Sequence, residues 1–171
     1  ADPLRAMDTT ICMGASISVG HGAKKVFDRY KKDMRVVSVI GDSTFFHTGI
    51  NSLLDVVYNK SNTITCILDN RVTGMTGHQD HPGTGYTLAG EETEMISIPD
   101  LVRALGIKHV RTVNPLKLDQ LKEAFDWAFA LDEASVIISK YPCVLKKWSK
   151  FDREEFEPLE GKCEVDVEKC I

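Results

Sequence analysis

Val36-Val37-Ser38-Val39-Ile40-Gly41-Asp42-Ser43 and Ile64-Thr65-Cys66-Ile67-Leu68-Asp69-Asn70 are two apolar runs, each ending in a short polar turn. Each run reads as a buried strand. In an open parallel sheet, ligands bind at the carboxyl ends of the strands. An acid after one strand, Asp42, and an amide after another, Asn70, can therefore meet on one Mg²⁺. The 28-residue step between them leaves room for a helical crossover, and the pair outlines a pyrophosphate site.

Outward from these runs, strand-like and helix-like patterns alternate. Thr9-Thr10-Ile11-Cys12 reads as a first strand, followed by a helix that carries Ile17, Val19, Ala23, Val26, Phe27 and Tyr30 and ends in basic Lys31-Lys32. Ile50, Leu53, Leu54, Val57 and Tyr58 fall at i, i+3, i+4, i+7 and i+8, an amphipathic helix stopped by Asn59 to Asn62. Ser97-Ile98-Pro99-Asp100 starts another helix, with Gly106 as its stop. His109 to Val113 and Ser135 to Ser139 read as strands on either side of a helical stripe of Leu118, Leu121, Phe125, Ala128 and Phe129. Five strands joined by short helical crossovers predict an α/β doubly wound fold, a mainly parallel sheet with helices on both faces.

Two stretches lack a period. Residues 71–96 are rich in Gly, Thr, His and Pro, and structureless segments of that length are usually lids or binding loops, or else disordered. Residues 150–171 are charged and weakly patterned and read as a linker. The expected division is residues 1–7 as expression-derived or linker residues, 8–149 as one domain, and 150–171 as the lead into something further.

The 171 residues carry a net charge of −4. That balance argues against a nucleic-acid backbone or an anionic membrane as partner, since either calls for a basic face. No apolar run is long enough to span a bilayer. Five scattered cysteines do not resemble a secreted disulfide framework, so a reducing, cytoplasmic setting is the simpler expectation.

Gly41-Asp42-Ser43 alone is ambiguous, because Ser43 or Thr44 could merely cap the following helix. Pairing with Asn70 favours the metal reading: Mg²⁺ takes oxygen ligands from one or two carboxylates, amide or backbone oxygens, water and phosphates. A helix N-terminus beyond Ser43 would add N–H groups for the same phosphates. His78 and His81 lie three apart, but no Cys or further His stands at a ligand spacing, so a transition-metal site is not expected. Gly20-His21-Gly22 lacks the dinucleotide spacing and no Gly-Lys-Ser/Thr triplet occurs, which disfavours nicotinamide and P-loop readings.

At these residues the sequence resembles the thiamine-diphosphate enzymes, whose Gly-Asp-Gly segment is followed after some 25 to 30 residues by an Asn that closes the metal site. Ser43 replaces the third glycine, and Asp69 the first of two asparagines. Gly41 to Ile50, Asp69 to Gly85 and Cys12-Met13-Gly14-Ala15-Ser16-Ile17 are more specifically similar to the alpha subunits of indolepyruvate ferredoxin oxidoreductases, of the 2-oxoacid:ferredoxin oxidoreductase family. The likeness covers roughly residues 8 to 148. It implies that Asp42 and Asn70 donate side-chain oxygens to Mg²⁺ and Val72 its backbone carbonyl. Gly41, Ser43 and Thr44 would bind the diphosphate, and Cys12, Met13 and Gly14 would lie against the cofactor. Thr73, Gly74 and Met75 would wrap over it, with His47 and His78 as candidate substrate contacts.

The resemblance also implies partners and a setting in amino acid catabolism. The parent reaction would be CoA-dependent oxidative decarboxylation of an aryl 2-oxoacid, passing electrons through [4Fe-4S] clusters to ferredoxin, with a beta subunit alongside. The cofactor-activating Glu, and hence the catalytic residue, would come from a separate pyrimidine-binding domain. Cys170 would be the first ligand of a ferredoxin-like domain, with Cys163 incidental. A non-oxidative thiamine-dependent decarboxylase or carboligase and a cofactor-free interaction module are the alternative readings.

Overall fold

A computed structural model describes residues 4–159, 161 and 164–168; Cys163 and Cys170 lie outside the described residues. Strands β1 (Val37–Gly41), β2 (Ile64–Asp69), β3 (His109–Val113) and β4 (Ser135–Lys140) form one sheet in the order β1-β2-β4-β3, all pairs parallel. The helices are α1 (Ser16–Arg29), α2 (Asp42–Thr44), α3 (Ile50–Tyr58), α4 (Ile98–Ala104), α5 (Leu118–Phe129) and α6 (Lys150–Glu155). A π-helical segment, Phe45–Gly49, joins α2 to α3 without a break.

The register assigns side chains to faces. Ile40 and Ile67 are direct partners, as are Ile67 and Ile138, and these residues pack with Ile17 of α1, Leu53 and Val56 of α3, and Val102 of α4. The opposite face carries Ile64, Ile137 and Val113 under Ala124 and Ala128 of α5. Helices thus cover both faces, as expected of a doubly wound fold. Central strands β2 and β4 are nearly continuous buried runs, whereas edge strand β1 alternates and leaves Val37 and Val39 exposed on the α5 side.

The first expected strand is absent: among the described residues the sheet has four strands, not five. Thr9 to Cys12 are exposed and outside any regular element. β-branched residues favour extended backbone, but a strand needs a ladder partner, and β1 pairs only with β2. The apolar helical stripes also overstate burial. Val26, Tyr30, Leu54, Tyr58 and Leu118 are exposed, while small Gly20 and Ala124 lie at the contacts.

Gly20 shows why. A Cβ there would stand 2.3 Å from Ser38 Oγ and 3.0 Å from Val36 Cγ1, whereas one at Gly22 would meet nothing within 4 Å. The helix α1 therefore seats on β1 through a residue without a side chain. In urea unfolding, Gly20→Ala should destabilise by roughly 1–3 kcal/mol through overpacking, and Gly22→Ala should stabilise by up to about 1 kcal/mol through helix propensity.

Candidate cofactor site

The chain enters α2 directly from β1. Gly41 is the N-cap, with extended backbone and no side-chain capping bond, and Asp42 is the first helical residue. Neither Ser43 nor Thr44 is the cap. A carboxylate in the first turn suits the positive end of the helix dipole. Beside Gly41 the space is open, with nothing within 4 Å of where a Cβ would be.

Asp42 is buried, 3% exposed, and its carboxylate is held from three sides. Oδ1 accepts from the Ser43 amide at 2.8 Å, and Oδ2 from the Arg71 amide at 2.9 Å. The third contact is His81 Nε2, 3.0 Å from Oδ2. Gly83 N–H donates to His81 Nδ1 at 3.1 Å. That ring nitrogen must therefore accept, and the proton that bonds Asp42 sits on Nε2. Besides these three N–H partners, the Asp69 carboxyl hydrogen-bonds Asp42.

The Arg71 amide bond seats the whole turn after β2 upon Asp42. Within this turn Asn70 Oδ1 accepts from the Val72 amide at 3.2 Å. Arg71 between them has φ of +62°, a left-handed conformation that costs a side-chain-bearing residue about 1–2 kcal/mol. Among the described residues none donates to the Val72 carbonyl. One carboxylate, one amide oxygen and one unengaged backbone carbonyl are hard-oxygen donors of the kind Mg²⁺ accepts. No cluster of three or more His, Cys, Asp or Glu able to hold a metal occurs among the described residues.

The remaining predicted residues distribute unevenly. Thr73 reaches back across the site, its hydroxyl 2.8 Å from Ser43 Oγ, and pairs its backbone with Gln79. Gly74 lies beside Asn70, a Cβ on it falling 3.8 Å from Asn70 Nδ2. Buried Thr44 accepts at its carbonyl from Thr48 Oγ1. Gly14, at φ +88°, packs so closely on Thr48 that a Cβ would stand 2.1 Å from Oγ1. This contact brings the Cys12-Met13-Gly14 turn to the helix that starts at Asp42, with Cys12 and Met13 exposed. Met75 and His78 are exposed on the 73–79 loop, and His47 is exposed in the π-helical segment. A cavity of about 400 Å³ opens beside Val72 and is lined also by His78, Tyr86 and Lys147.

Residues 71–96 are less bare than their composition implies. His81, Gly83, Thr84 and Gly85 are buried, and Gly83 and Gly85 would each clash, if given a Cβ, with Phe46 and Phe151 respectively. The aromatic anchors come from other elements, which is why local composition did not reveal them. Residues missed from sequence are His81, as the partner of Asp42, and the ion cluster around Arg71. Lys150 to Glu155, read as the start of a linker, form α6, whose Ser149 and Asp152 make a reciprocal capping box. The Ser-x-x-Asp spacing was a visible signal for that helix start. Nothing in the spacing signalled the pairing with Arg71.

Residues 2–139 match the family described as thiamine pyrophosphate enzyme, C-terminal TPP binding domain. The chain belongs to that family. It is 39% identical over 169 residues to the indolepyruvate oxidoreductase subunit IorA of Archaeoglobus fulgidus, covering 99% of this chain and 26% of that one. It is 40% identical over 168 residues to the subunit of the same name from Methanothermobacter thermautotrophicus, covering 98% and 25%. The chain thus spans about a quarter of the length of the curated relatives it matches. Among solved structures, it superposes on a 2-oxoglutarate:ferredoxin oxidoreductase from Magnetococcus marinus with a TM-score of 0.64 at 15% identity, covering 88% of this chain and 54% of that one. On a benzoylformate decarboxylase from Polynucleobacter necessarius the TM-score is 0.54 at 20% identity, with coverage of 74% and 23%. These two likenesses show the fold.

Asp69 lends the site a pH dependence. Burial pushes its carboxyl up to about 6, the neighbouring Asp42 charge adds to this, and Arg71 and Lys140 pull the other way. The folded protein then holds a proton that the unfolded chain releases near pH 4. The metal-free domain should lose roughly 1–3 kcal/mol of stability as pH rises from about 4 through about 6. The Arg71 amide also donates to Asp69 Oδ1 at 3.2 Å; Asp69→Asn keeps that acceptor and should remove this part of the slope, which denaturant unfolding across pH 4–7 measures.

Proposed function

We propose that this domain holds Mg²⁺ and thiamine diphosphate within an aryl 2-oxoacid:ferredoxin oxidoreductase acting on indolepyruvate-type substrates. The observation that carries the reading is the Arg71 amide bond to Asp42, which joins the turns after β1 and β2 at their carboxyl ends. On it Asp42, Asn70 and the Val72 carbonyl would take the metal. Gly41, Ser43, Thr44 and Thr73 would receive the diphosphate at the start of the helix, where the helix dipole favours anions. Gly74 and Met75 would lie over it, Cys12, Met13 and Gly14 beside it, and His47 and His78 toward the substrate. His81 would keep Asp42 oriented by donating from Nε2.

Thiamine diphosphate supplies the carbanion chemistry of 2-oxoacid decarboxylation, while the protein contributes position and electrostatics. The names of the IorA relatives support the oxidative reading. In the parent enzyme, a pyrimidine-binding domain would supply the activating Glu, with a beta subunit, CoA and ferredoxin as further partners in the cytoplasm. Its [4Fe-4S] clusters would begin at Cys170.

Calorimetry on the full-length subunit should show Asp42→Ala and Asn70→Ala each weakening Mg²⁺-dependent cofactor binding by at least about tenfold. Unchanged affinity in both would remove the metal assignment. The full-length subunit should also show the visible absorption of iron–sulfur clusters and reduce a dye with indolepyruvate and CoA. A colourless subunit that still decarboxylates would instead assign the domain to the non-oxidative thiamine enzymes.

A further inference from the structure

The turn between Asn70 and Val72 is gripped from behind by a buried ion cluster with no place in the proposed ligand set. Arg71 is 2% exposed. Its guanidinium Nε lies 3.5 Å from Asp152 Oδ1, and Nη1 3.4 Å from Glu155 Oε2. Its carbonyl accepts from Lys146 Nζ at 2.9 Å, and Lys146 in turn lies 2.8 Å from Asp152 Oδ2. Asp152 thus reaches Arg71 twice: directly, by an ion pair in which neither Arg71 Nε nor Asp152 Oδ1 makes a hydrogen bond, and through the carbonyl, hydrogen-bonded by Lys146.

Asp152 is itself immobilised. It is fully buried, and Oδ2 accepts from both the amide and the hydroxyl of Ser149 at 2.8 Å. Burial alone would raise its carboxyl, but Lys146 and Ser149 outweigh that and hold it below the ordinary value. The carboxylate is therefore charged and paired. The cluster's two carboxylates belong to α6 and Lys146 to the segment before it, all beyond the 2–139 stretch that matches the thiamine pyrophosphate family and contains Arg71.

We propose that Asp152 is a positioning residue for the cofactor turn. Arg71 occupies a left-handed conformation that an arginine leaves readily unless held, and rotation of its φ would redirect the Val72 carbonyl relative to the Asn70 side chain. The Arg71 amide is fixed by Asp42, and its carbonyl and guanidinium by the α6 cluster. Both ends of one strained residue are thus clamped, and the two flanking candidate ligands keep their relative directions. This inference rests on the Mg²⁺ and thiamine diphosphate reading above.

The test uses the full-length subunit, with cofactor Kd by calorimetry and thermal unfolding measured with and without Mg²⁺ and thiamine diphosphate. Asp152→Asn should raise the cofactor Kd by roughly 10- to 100-fold, the range found for residues that orient metal ligands. It should also shrink the cofactor-induced rise in Tm. Asp152→Glu, which restores the charge, should recover part of the affinity. If Asp152→Asn lowers Tm equally with and without cofactor and leaves Kd unchanged, the cluster is structural only and the proposal is overturned. Should that variant fail to fold, Ser149→Ala and Glu155→Gln carry the same comparison, and unchanged Kd in both overturns it. A wild-type subunit that neither binds nor is stabilised by the cofactor would overturn the cofactor reading itself, a distinguishable result.

Discussion

One hydrogen bond, from the amide of Arg71 to the carboxylate of Asp42 at 2.9 Å, ties the end of β2 to the end of β1. Everything at the site is arranged around it. The carboxylate is buried and must be satisfied, so the Ser43 amide, the Arg71 amide and His81 converge on it. Each of these donors in turn fixes its own segment: the helix start, the turn after β2, and the middle of the long loop. A single buried acid thereby organises three stretches distant in sequence.

The parallel sheet makes that convergence possible. Crossovers return every strand in the same direction, so the turns after β1 and β2 emerge side by side at one edge. The larger cavity on the other end of the sheet, about 500 Å³ and lined by Ser61, Ile107 and Ala134, lies where the strands begin. The buried acid and the amides of Ser43 and Arg71 are gathered at the carboxyl end. Charges placed under the turn, Asp152 and Lys146 above all, then hold the unfavourable backbone of Arg71.

Legibility followed the range of the interaction concerned. β1 to β4 and the helices between them were readable because hydrophobic period and capping are local; Ser97, for example, accepts from Asp100 N with Pro99 inside the first turn. Asp42 and Asn70 stood out because the acid and the amide each follow a strand. The extra strand at Thr9 to Cys12 was a misreading of local propensity, since a strand exists only with a partner. The 71–96 loop looked featureless because its anchors, Phe46 and Phe151, lie in other elements.

By itself the amino-acid sequence determined the α/β alternation, the parallel connectivity and the two strand-end motifs, all of which are written in residues close together along the chain. Only the tertiary structure decided that His81 faces Asp42 through Nε2 and that helix α6 reaches Arg71. It also decided that Gly41, rather than Ser43, caps the helix. The physical reason is the same for His81 and Arg71: a buried charge or dipole is satisfied by whichever group the fold brings within about 3 Å, and for a group dozens of residues away no periodicity records the meeting.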